Sequence, residues 1–442
     1  MSTARIVVSA AGTGAGKTLV ATALCAALRD AGFRVGAYKA GPDYIDARLY
    51  ASVLGEPAHN LDLWLDGEEG VRRHVASTAG DADVLVIEGM MGLFDGDDEG
   101  ATSTAKLART LDATVLTVLD TWTASQSAAA IALGLRMYDP AVRHVGVILN
   151  RVGGVTHAAA VRAACARAGI EVLGAIPARD DYRMPERTLS LDRTAFAGRA
   201  VVIERLATEL ATQLDLRALV AAAASSASLP ATSPVSLMAK RARVAYAEDT
   251  AFWFTYPETL DALRNAGAEL VPFSPLHDRD LPPDCGALWI GGGYPEDHAA
   301  GLEANHTMRA AVCDAVASGM PTYAECGGLM YLAETLPTPN GSHAMVGVIA
   351  GATSIAEPKL HLGYRLATAA TSSPLDALGD SVRGYEFHYA TPMLAPASHA
   401  YDIGNASDGT VLGNCLAAFL HRHFLPGDPA IDRFVTTAAA FT

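Results

Sequence analysis

Ile6-Val7-Val8-Ser9-Ala10-Ala11-Gly12-Thr13-Gly14-Ala15-Gly16-Lys17-Thr18 decides how the first half of this chain folds. An apolar, β-branched run passes into glycines and then into Lys17-Thr18. Beyond it Leu19, Val20, Ala23, Leu24, Ala27 and Leu28 recur at helical spacing as far as Gly32. Strand, glycine-rich turn and helix in that order form a phosphate-binding loop. Backbone N–H groups in such a turn point at phosphate oxygens, the helix N-terminus adds a favourable dipole, and a lysine neutralises charge. Gly12, Thr13, Gly14, Ala15, Gly16, Lys17 and Thr18 are the candidate ATP-binding residues, with the Thr18 hydroxyl available to Mg2+. The strict pattern has glycine where Ala11 stands.

The strand–helix alternation continues. Val35–Lys39, Val84–Glu88, Thr114–Leu119, Val145–Leu149 and Val172–Ala175 are short, apolar and β-branched, as strands of a buried parallel sheet should be. Ligands of open α/β sheets collect where strand ends converge, so polar residues at those ends are the candidates. Glu88 ends an apolar strand and could hold a metal directly or through water. Asp43 and Asp46 follow the second strand in Lys39-Ala40-Gly41-Pro42-Asp43-Tyr44-Ile45-Asp46, and Asp95 lies in Gly92-Leu93-Phe94-Asp95-Gly96. The expected metal ligands are Thr18, Asp43 and Glu88; the expected substrate contacts are Lys39, Asp43, Tyr44 and Asp95. Asn150 ends the strand Val145–Leu149 and could read adenine through its amide.

Ala221 to Ser236 is rich in Ala, Ser and Pro, the composition of a connector. We place a linker at 221–240, with a boundary near residue 235. The expected domains are an ATP-binding domain over 1–220 and a second α/β domain over 241–442, opening on the strand Arg243–Ala247. The net charge of −15 argues against a nucleic-acid binder, which needs clustered Lys and Arg. The longest Ala-rich apolar stretches fall well short of the ~20 residues a bilayer span needs. No secretory signal is legible. The six cysteines form no CxxC pair, so zinc and iron–sulfur sites are not expected and a reducing cytoplasm is.

In the second half, Tyr323-Ala324-Glu325-Cys326-Gly327-Gly328-Leu329 reads as a sharp turn between a strand and a helix, with Cys326 exposed at its tip as a nucleophile. A helix N-terminus favours a thiolate and offers N–H groups to an oxyanion. Upstream, Ile290-Gly291-Gly292-Gly293-Tyr294-Pro295-Glu296 follows the strand Ala287–Ile290. Gly292, Gly293 and Gly327 are the expected oxyanion hole. A catalytic base must come from elsewhere. His421, in Leu420-His421-Arg422-His423-Phe424, is the first candidate, and His388, in Glu386-Phe387-His388-Tyr389, its competitor.

Taken together these motifs resemble the cobyrinate or hydrogenobyrinate a,c-diamide synthases of cobalamin biosynthesis. The P-loop, Lys39 to Asp46, Asn60-Leu61-Asp62, Glu88 to Gly96, Gly291 to Glu296, Glu325 to Gly328, Gly363-Tyr364-Arg365 and Leu420 to Phe424 carry the resemblance over nearly the whole chain. It implies a P-loop parallel-sheet domain similar to dethiobiotin synthetase, then a class I glutamine amidotransferase domain of flavodoxin-like α/β fold. It implies Cys326 as glutaminase nucleophile and His421 as its base, with ATP and Mg2+ as cofactors and substrate and Mg2+ handled by Asp43, Glu88 and Asp95. Many class I domains carry an acid two residues after that histidine, where this chain has His423. Two further runs depart from the family pattern, Pro185 to Leu191 and Gly384 to Ala390.

The reaction so implied is release of ammonia from glutamine, activation of a carboxylate as an acyl phosphate, and amide formation. The expected partners are glutamine and a corrinoid-like polycarboxylate, met by cations among Arg48, Arg183, Arg187, Lys359 and Arg365; no nucleic acid and no membrane are expected, and a homodimer is compatible with the sequence. Three alternatives stay open here: the same chemistry on another polycarboxylate, such as a nickel–sirohydrochlorin or specialised metabolite; a partitioning-type P-loop switch, which would need neither Cys326 nor His421; and a regulatory glutamine sensor that keeps the fold but not the enzyme.

Overall fold

A computed structural model of the chain describes residues 3–97, 100–182, 199–224, 229, 239–395 and 398–441. Two units, Met1–Ser233 and Pro234–Thr442, are each internally compact. Arg183, Arg187, the run Pro185 to Leu191 and most of the expected linker lie outside the described residues.

In the first unit β1 (Ala4–Ala10), β2 (Val35–Ala40), β3 (His59–Leu61), β4 (Val84–Glu88), β5 (Thr114–Asp120), β6 (Arg143–Val152) and β7 (Val172–Pro177) make one parallel sheet in the order β3-β2-β4-β1-β5-β6-β7. Its helices are α1 (Lys17–Asp30), α2 (Tyr44–Leu54), α3 (Gly67–Thr78), α4 (Thr104–Thr110), α5 (Gln126–Tyr138), α6 (Val155–Arg167), α7 (Ala200–Ala211) and α8 (Leu216–Ala222). β4 is apolar without alternation because both its faces are covered. Val84 and Val86 join the core under α1 and α7, while Leu85 and Ile87 join the core under α3 and α4. α1 seals the first core with Leu19, Val20, Leu24 and Leu28, each contributing about 1.5–3 kcal/mol by burial.

The first residues of the expected linker are ordered. α8 reaches Ala222, Arg5 donates its backbone N–H to the Ala223 carbonyl at 3.0 Å, and Ala224 bridges Ala4. Leu216, Leu219 and Ala223 bury against the first core, which overrides the loop-like composition.

In the second unit β8 (Ala242–Ala247), β9 (Phe252–Phe254), α9 (Pro257–Asn265), β10 (Ala268–Phe273), β11 (Ala287–Ile290), β12 (Gly292–Gly293), α10 (Ala299–Ala304), α11 (His306–Ala317), β13 (Thr322–Glu325) and α12 (Gly327–Leu332) lead to the nucleophile turn and past it. Short strands follow: β14 (Ala333–Thr338), β15 (Gly341–Ala344), β16 (Ile349–Ser354), β17 (His361–Ala369), β18 (Ser381–His388), β19 (Thr391–Leu394), β20 (Tyr401–Ile403), β21 (Ala406–Asp408), β22 (Thr410–Leu412) and β23 (Cys415–Ala418), before a last helix, α13 (Pro429–Phe441). The main sheet runs β10-β8-β11-β13-β23-β22, parallel except for β22. Its parallel strands, counted in chain order, lie 2-1-3-4-5, the flavodoxin-like winding. β9 and β12 pair as a two-stranded antiparallel sheet, and the other strands build two smaller four-stranded sheets, β15-β14-β16-β19 and β18-β17-β20-β21.

Candidate active sites

In the first unit, register alone sets site residues in a row. Glu88, at the end of β4, pairs with Val8 of β1 on one side and with Lys39 of β2 on the other. Lys39 Nζ lies 2.9 Å from Glu88 Oε1 and 3.0 Å from Asp46 Oδ2. Thr18, on the first turn of α1, donates its hydroxyl to Glu88 Oε1 at 2.7 Å, and Tyr50 of α2 donates to Oε2. Lys39, Asp46, Tyr50 and Glu88 are buried. Burial raises the Glu88 carboxyl; Lys39 opposes that shift and Asp46 reinforces it. Burial and the Glu88 charge also push the Tyr50 phenol well up, so it remains a donor. Lys17 folds over its own loop, donating to the carbonyl of Gly12 at 3.0 Å and to that of Met91. The turn that presents the second carbonyl holds Met91 at φ 48°, uncommon for a residue with a side chain.

Several of the expected residues have partners within the fold. Asp43, expected beside Thr18 and Glu88, is the N-cap of α2: its Oδ1 accepts the N–H groups of Ile45 and Asp46 at 2.9 and 2.8 Å. Asp46, one turn on, is the carboxylate that reaches Lys39 and comes within 3.5 Å of the Thr18 hydroxyl. Asn60 secures this loop by donating to the carbonyls of Gly41 and Asp43 at 3.0 and 2.7 Å. Tyr44 opens α2, and exposed Asp95 accepts the Gly92 N–H at 2.9 Å. Asn150, expected to read adenine, lies against the P-loop. Its amide donates to the Ala15 carbonyl at 2.8 Å while its Oδ1 accepts from Arg151 N–H at 2.9 Å, and the side chain is buried. The hydroxyl of Thr18 and the carboxylates of Glu88 and Asp46 form an all-oxygen donor set, which suits Mg2+ rather than a softer metal.

In the second unit the chain leaves β13 at Glu325 and reverses at Cys326, φ 52° and ψ −103°, before α12. Such backbone costs energy and persists only where its surroundings dictate it. Here the Cys326 N–H donates to the Ala418 carbonyl at 2.8 Å, and its own carbonyl accepts from Met330 at 3.1 Å. The glycine run of β12 presses against the turn. A methyl group on Gly292 would lie 3.4 Å from His421 Cε1 and 3.6 Å from Cys326 Cβ, and one on Gly327 would lie 3.0 Å from the Gly293 nitrogen. Gly292, Gly293 and Gly327 therefore pack closely at the Cys326 turn.

His421 follows β23 and is buried. Its N–H and carbonyl both bond Tyr385 of β18 at 2.8 Å. Its Nδ1 lies 3.1 Å from Glu325 Oε1. Glu325 Oε2 accepts the Tyr323 hydroxyl at 2.6 Å and the Arg422 N–H at 3.0 Å. Burial disfavours a charged His421, but the charge and hydrogen bond of Cys326 and then of Glu325 outweigh it and hold the imidazole well above its ordinary value. Burial likewise raises Glu325, and His421, the Tyr323 hydroxyl and the Arg422 N–H more than reverse it, leaving the carboxylate ionised.

The competing histidine has other partners. His388 Nδ1 bonds the Ala390 carbonyl at 2.9 Å, its Nε2 lies 3.2 Å from Glu386, and its ring stacks on Phe419. His423 packs its ring edge-on against Tyr256 and lies 3.8 Å from Glu258. Of the candidate substrate cations, Arg365 pairs with Glu386 at 2.7 Å. Sequence reasoning gave Glu325 no role. The signal available was a carboxylate closing the otherwise uncharged strand Thr322-Tyr323-Ala324-Glu325, where only a buried partner could accommodate it.

A P-loop unit followed by a strained cysteine turn with a buried histidine defines a nucleotide-binding glutamine amidotransferase. Residues 6–191 match the CobQ/CobB/MinD/ParA nucleotide binding domain, and residues 243–429 the CobB/CobQ-like glutamine amidotransferase domain. The chain is 39% identical to a cobyrinate a,c-diamide synthase of Syntrophotalea carbinolica, over 98% of both chains. It is 39% identical to a hydrogenobyrinate a,c-diamide synthase of Mycobacterium tuberculosis, over 100% of this chain and 99% of that one. A hydrogenobyrinate a,c-diamide synthase of Thermobifida fusca is 40% identical over 98% of this chain and 97% of its own length. The chain belongs to the cobyrinate/hydrogenobyrinate a,c-diamide synthase family. No helix among the described residues is long and apolar enough to cross a membrane.

Proposed function

We propose that this protein catalyses ATP-dependent, glutamine-hydrolysing amidation of the a and c side-chain carboxylates of cobyrinate or hydrogenobyrinate. The observation that carries the reading is the presence in one chain of two complete chemistries: a buried Cys326–His421 pair on a strained turn, and the Thr18–Lys39–Asp46–Glu88 cluster beside a P-loop. A carboxylate resists nucleophiles, so it must first become an acyl phosphate, a task for the ATP-binding domain 1–220. Ammonia then displaces the phosphate and leaves an amide. Linked through 221–240, the domain 241–442 supplies that ammonia from glutamine.

Lys17, now resting on carbonyls, is the residue placed to neutralise phosphate charge. Lys39, near the carboxyl end of β2, meets a phosphate or a substrate carboxylate in this reading. Mg2+ fits Thr18, Glu88 and Asp46, and when bound it supplies positive charge to the phosphate oxygens. Asp43 acts by fixing the start of α2, and so of Asp46. In the second unit Gly292, Gly293 and Gly327 are placed to receive the carbonyl oxygen as Cys326 attacks the glutamine side-chain amide.

The test is amidation of cobyrinate and of hydrogenobyrinate with glutamine and, separately, with ammonia, for the wild type and Cys326→Ala. The variant should lose glutamine-driven activity by at least about 10³-fold and keep the ammonia-driven reaction. Normal use of glutamine by the variant would remove Cys326 as nucleophile. A wild type that amidates neither acid would remove the substrate assignment.

A further inference from the structure

We infer that Glu325 is the positioning acid of the glutaminase site, a carboxylate placed directly before the nucleophile instead of two residues after the histidine. The inference rests on the proposed glutaminase reading. The position two residues after His421 holds His423, whose ring is turned to Tyr256 and Glu258. Glu325 Oε1 instead lies 3.1 Å from His421 Nδ1, with both side chains buried. The carboxylate is itself fixed, because its second oxygen accepts from the Tyr323 hydroxyl two residues back and from the backbone N–H of Arg422, the residue after the histidine. The Arg422 guanidinium takes both oxygens of Asp376, at 2.9 Å each. The acid is therefore tied by one oxygen to the histidine ring and by the other to the histidine's own chain.

This arrangement dictates a proton path. With Nδ1–H donating to Glu325, Nε2 is the nitrogen left for the thiol. In keeping with the raised imidazole, Nε2 already holds the Cys326 proton when sulfur bonds to the side-chain carboxamide carbon of glutamine. The same proton then goes to the departing nitrogen as the C–N bond breaks, giving ammonia and a thioester. Water, giving a proton to Nε2, cleaves the thioester to glutamate and restores the thiol. Glu325 takes no proton in this cycle: it selects the tautomer and stabilises the imidazolium. Because acid and nucleophile are consecutive residues, the turn that strains Cys326 also aims Glu325.

Three measurements on Glu325→Gln and Glu325→Asp test this: glutamine hydrolysis across pH, the titration of the His421 ring protons by NMR, and ammonia-driven amidation. Glu325→Gln, which keeps size and loses charge, should lower kcat by at least about 10²-fold while KM for glutamine changes less than about threefold. The His421 titration midpoint should fall. Glu325→Asp should give an intermediate kcat and an intermediate midpoint. Wild-type kcat with an unmoved midpoint in Glu325→Gln would overturn the inference. So would a loss of kcat with the midpoint unmoved, or equal losses in the glutamine and ammonia reactions, since either marks a merely structural residue. If Glu325→Gln does not fold, Glu325→Asp decides, and unchanged kcat and midpoint there would sink the idea. Cys326→Ala in the same series separates the two readings. Its continued use of glutamine would defeat the glutaminase assignment, whereas unaffected Glu325 variants beside a dead Cys326→Ala defeat only the role of Glu325.

Discussion

Each unit contains a strand that turns through glycines into a helix, and the two turns are built in opposite ways. Between β1 and α1 the tip of the loop is open: a methyl group on Gly12 or Gly14 would meet nothing within 4 Å, and Ala11, Thr13 and Gly14 are exposed, while the loop is closed only at its base, where a methyl group on Gly16 would lie 2.2 Å from the Asn150 amide nitrogen. Between β13 and α12 the loop is caged: a methyl group on Gly328 would lie 2.3 Å from the Ile290 carbonyl oxygen, and one on Gly293 would lie 1.9 Å from that of Ala251. The first turn has to wrap a large, flexible polyphosphate, so its backbone is left clear and its lysine rests on carbonyls until needed. The second turn is closed by packing: its glycines have no room for a side chain, so the backbone at Cys326 is fixed before any ligand arrives. Preorganisation is built into the caged turn, and the open turn leaves it to the ligand.

That contrast can be broken most severely at the thiol. Cys326→Ala should abolish glutamine-driven amidation and leave the ammonia-driven rate within about twofold, as measured by parallel assays with the two nitrogen donors. The next test compares the glycines. Gly328→Ala should lower stability by about 2 kcal/mol, visible as a melting point several degrees lower, whereas Gly12→Ala should stay within about 0.5 kcal/mol of the wild type. A Gly12 variant as unstable as the Gly328 one would show that the P-loop is as tightly caged as the nucleophile turn.

The flank of the open turn offers a finer split. Asp46→Asn should raise the magnesium concentration for half-maximal amidation by about tenfold, whereas Asp43→Ala should cost about 1 kcal/mol of thermal stability through the lost helix cap. A last effect, which appears only at alkaline pH, belongs to the flank of the caged turn. Glu296 has an Oε2 sealed from solvent without a hydrogen-bond partner, and burial raises its carboxyl from 4.5 to about 7. A carboxyl raised on folding stabilises fully below pH 4.5, and that contribution is lost as pH rises through about 7. Glu296→Gln should therefore be more stable than the wild type at pH 8 by about 1–3 kcal/mol, with the gap closing towards pH 4, as followed by denaturant titration.

The parallel sheet of the first unit was legible because strands covered on both faces are unbroken apolar runs, as in Val84–Ile87. β3 was not, because it is three residues long and two of them are His59 and Asn60. The short antiparallel strands of the second unit escaped for a related reason. β17 and β18 carry Arg, Glu and His between their apolar residues, and only the cross-strand register shows that His361 faces His388 and Leu362 faces Phe387. In the sites, residue type located each cluster but not the division of labour within it. Asp43 and Asp46 both looked like ligands. The helix-cap pattern of an acid, two intervening residues and a second acid would have assigned the first to the cap. Glu325 left no spacing to notice, since a residue beside the nucleophile looks like part of its turn. Asn150 was read from its strand end, and the contact that uses its amide comes from a loop 135 positions earlier.

His421 hangs from two sheets at once. Glu325 closes β13, which pairs with β23 in the main sheet, and Cys326 follows it, while the His421 backbone is bonded on both sides to Tyr385 of β18 in a smaller one. The site is thus a seam, and the seam works as an interlock. Until the smaller sheet has docked, the thiol has no base held beside it, and a half-finished chain carries an ordinary buried cysteine rather than a stray hydrolase that would drain glutamine.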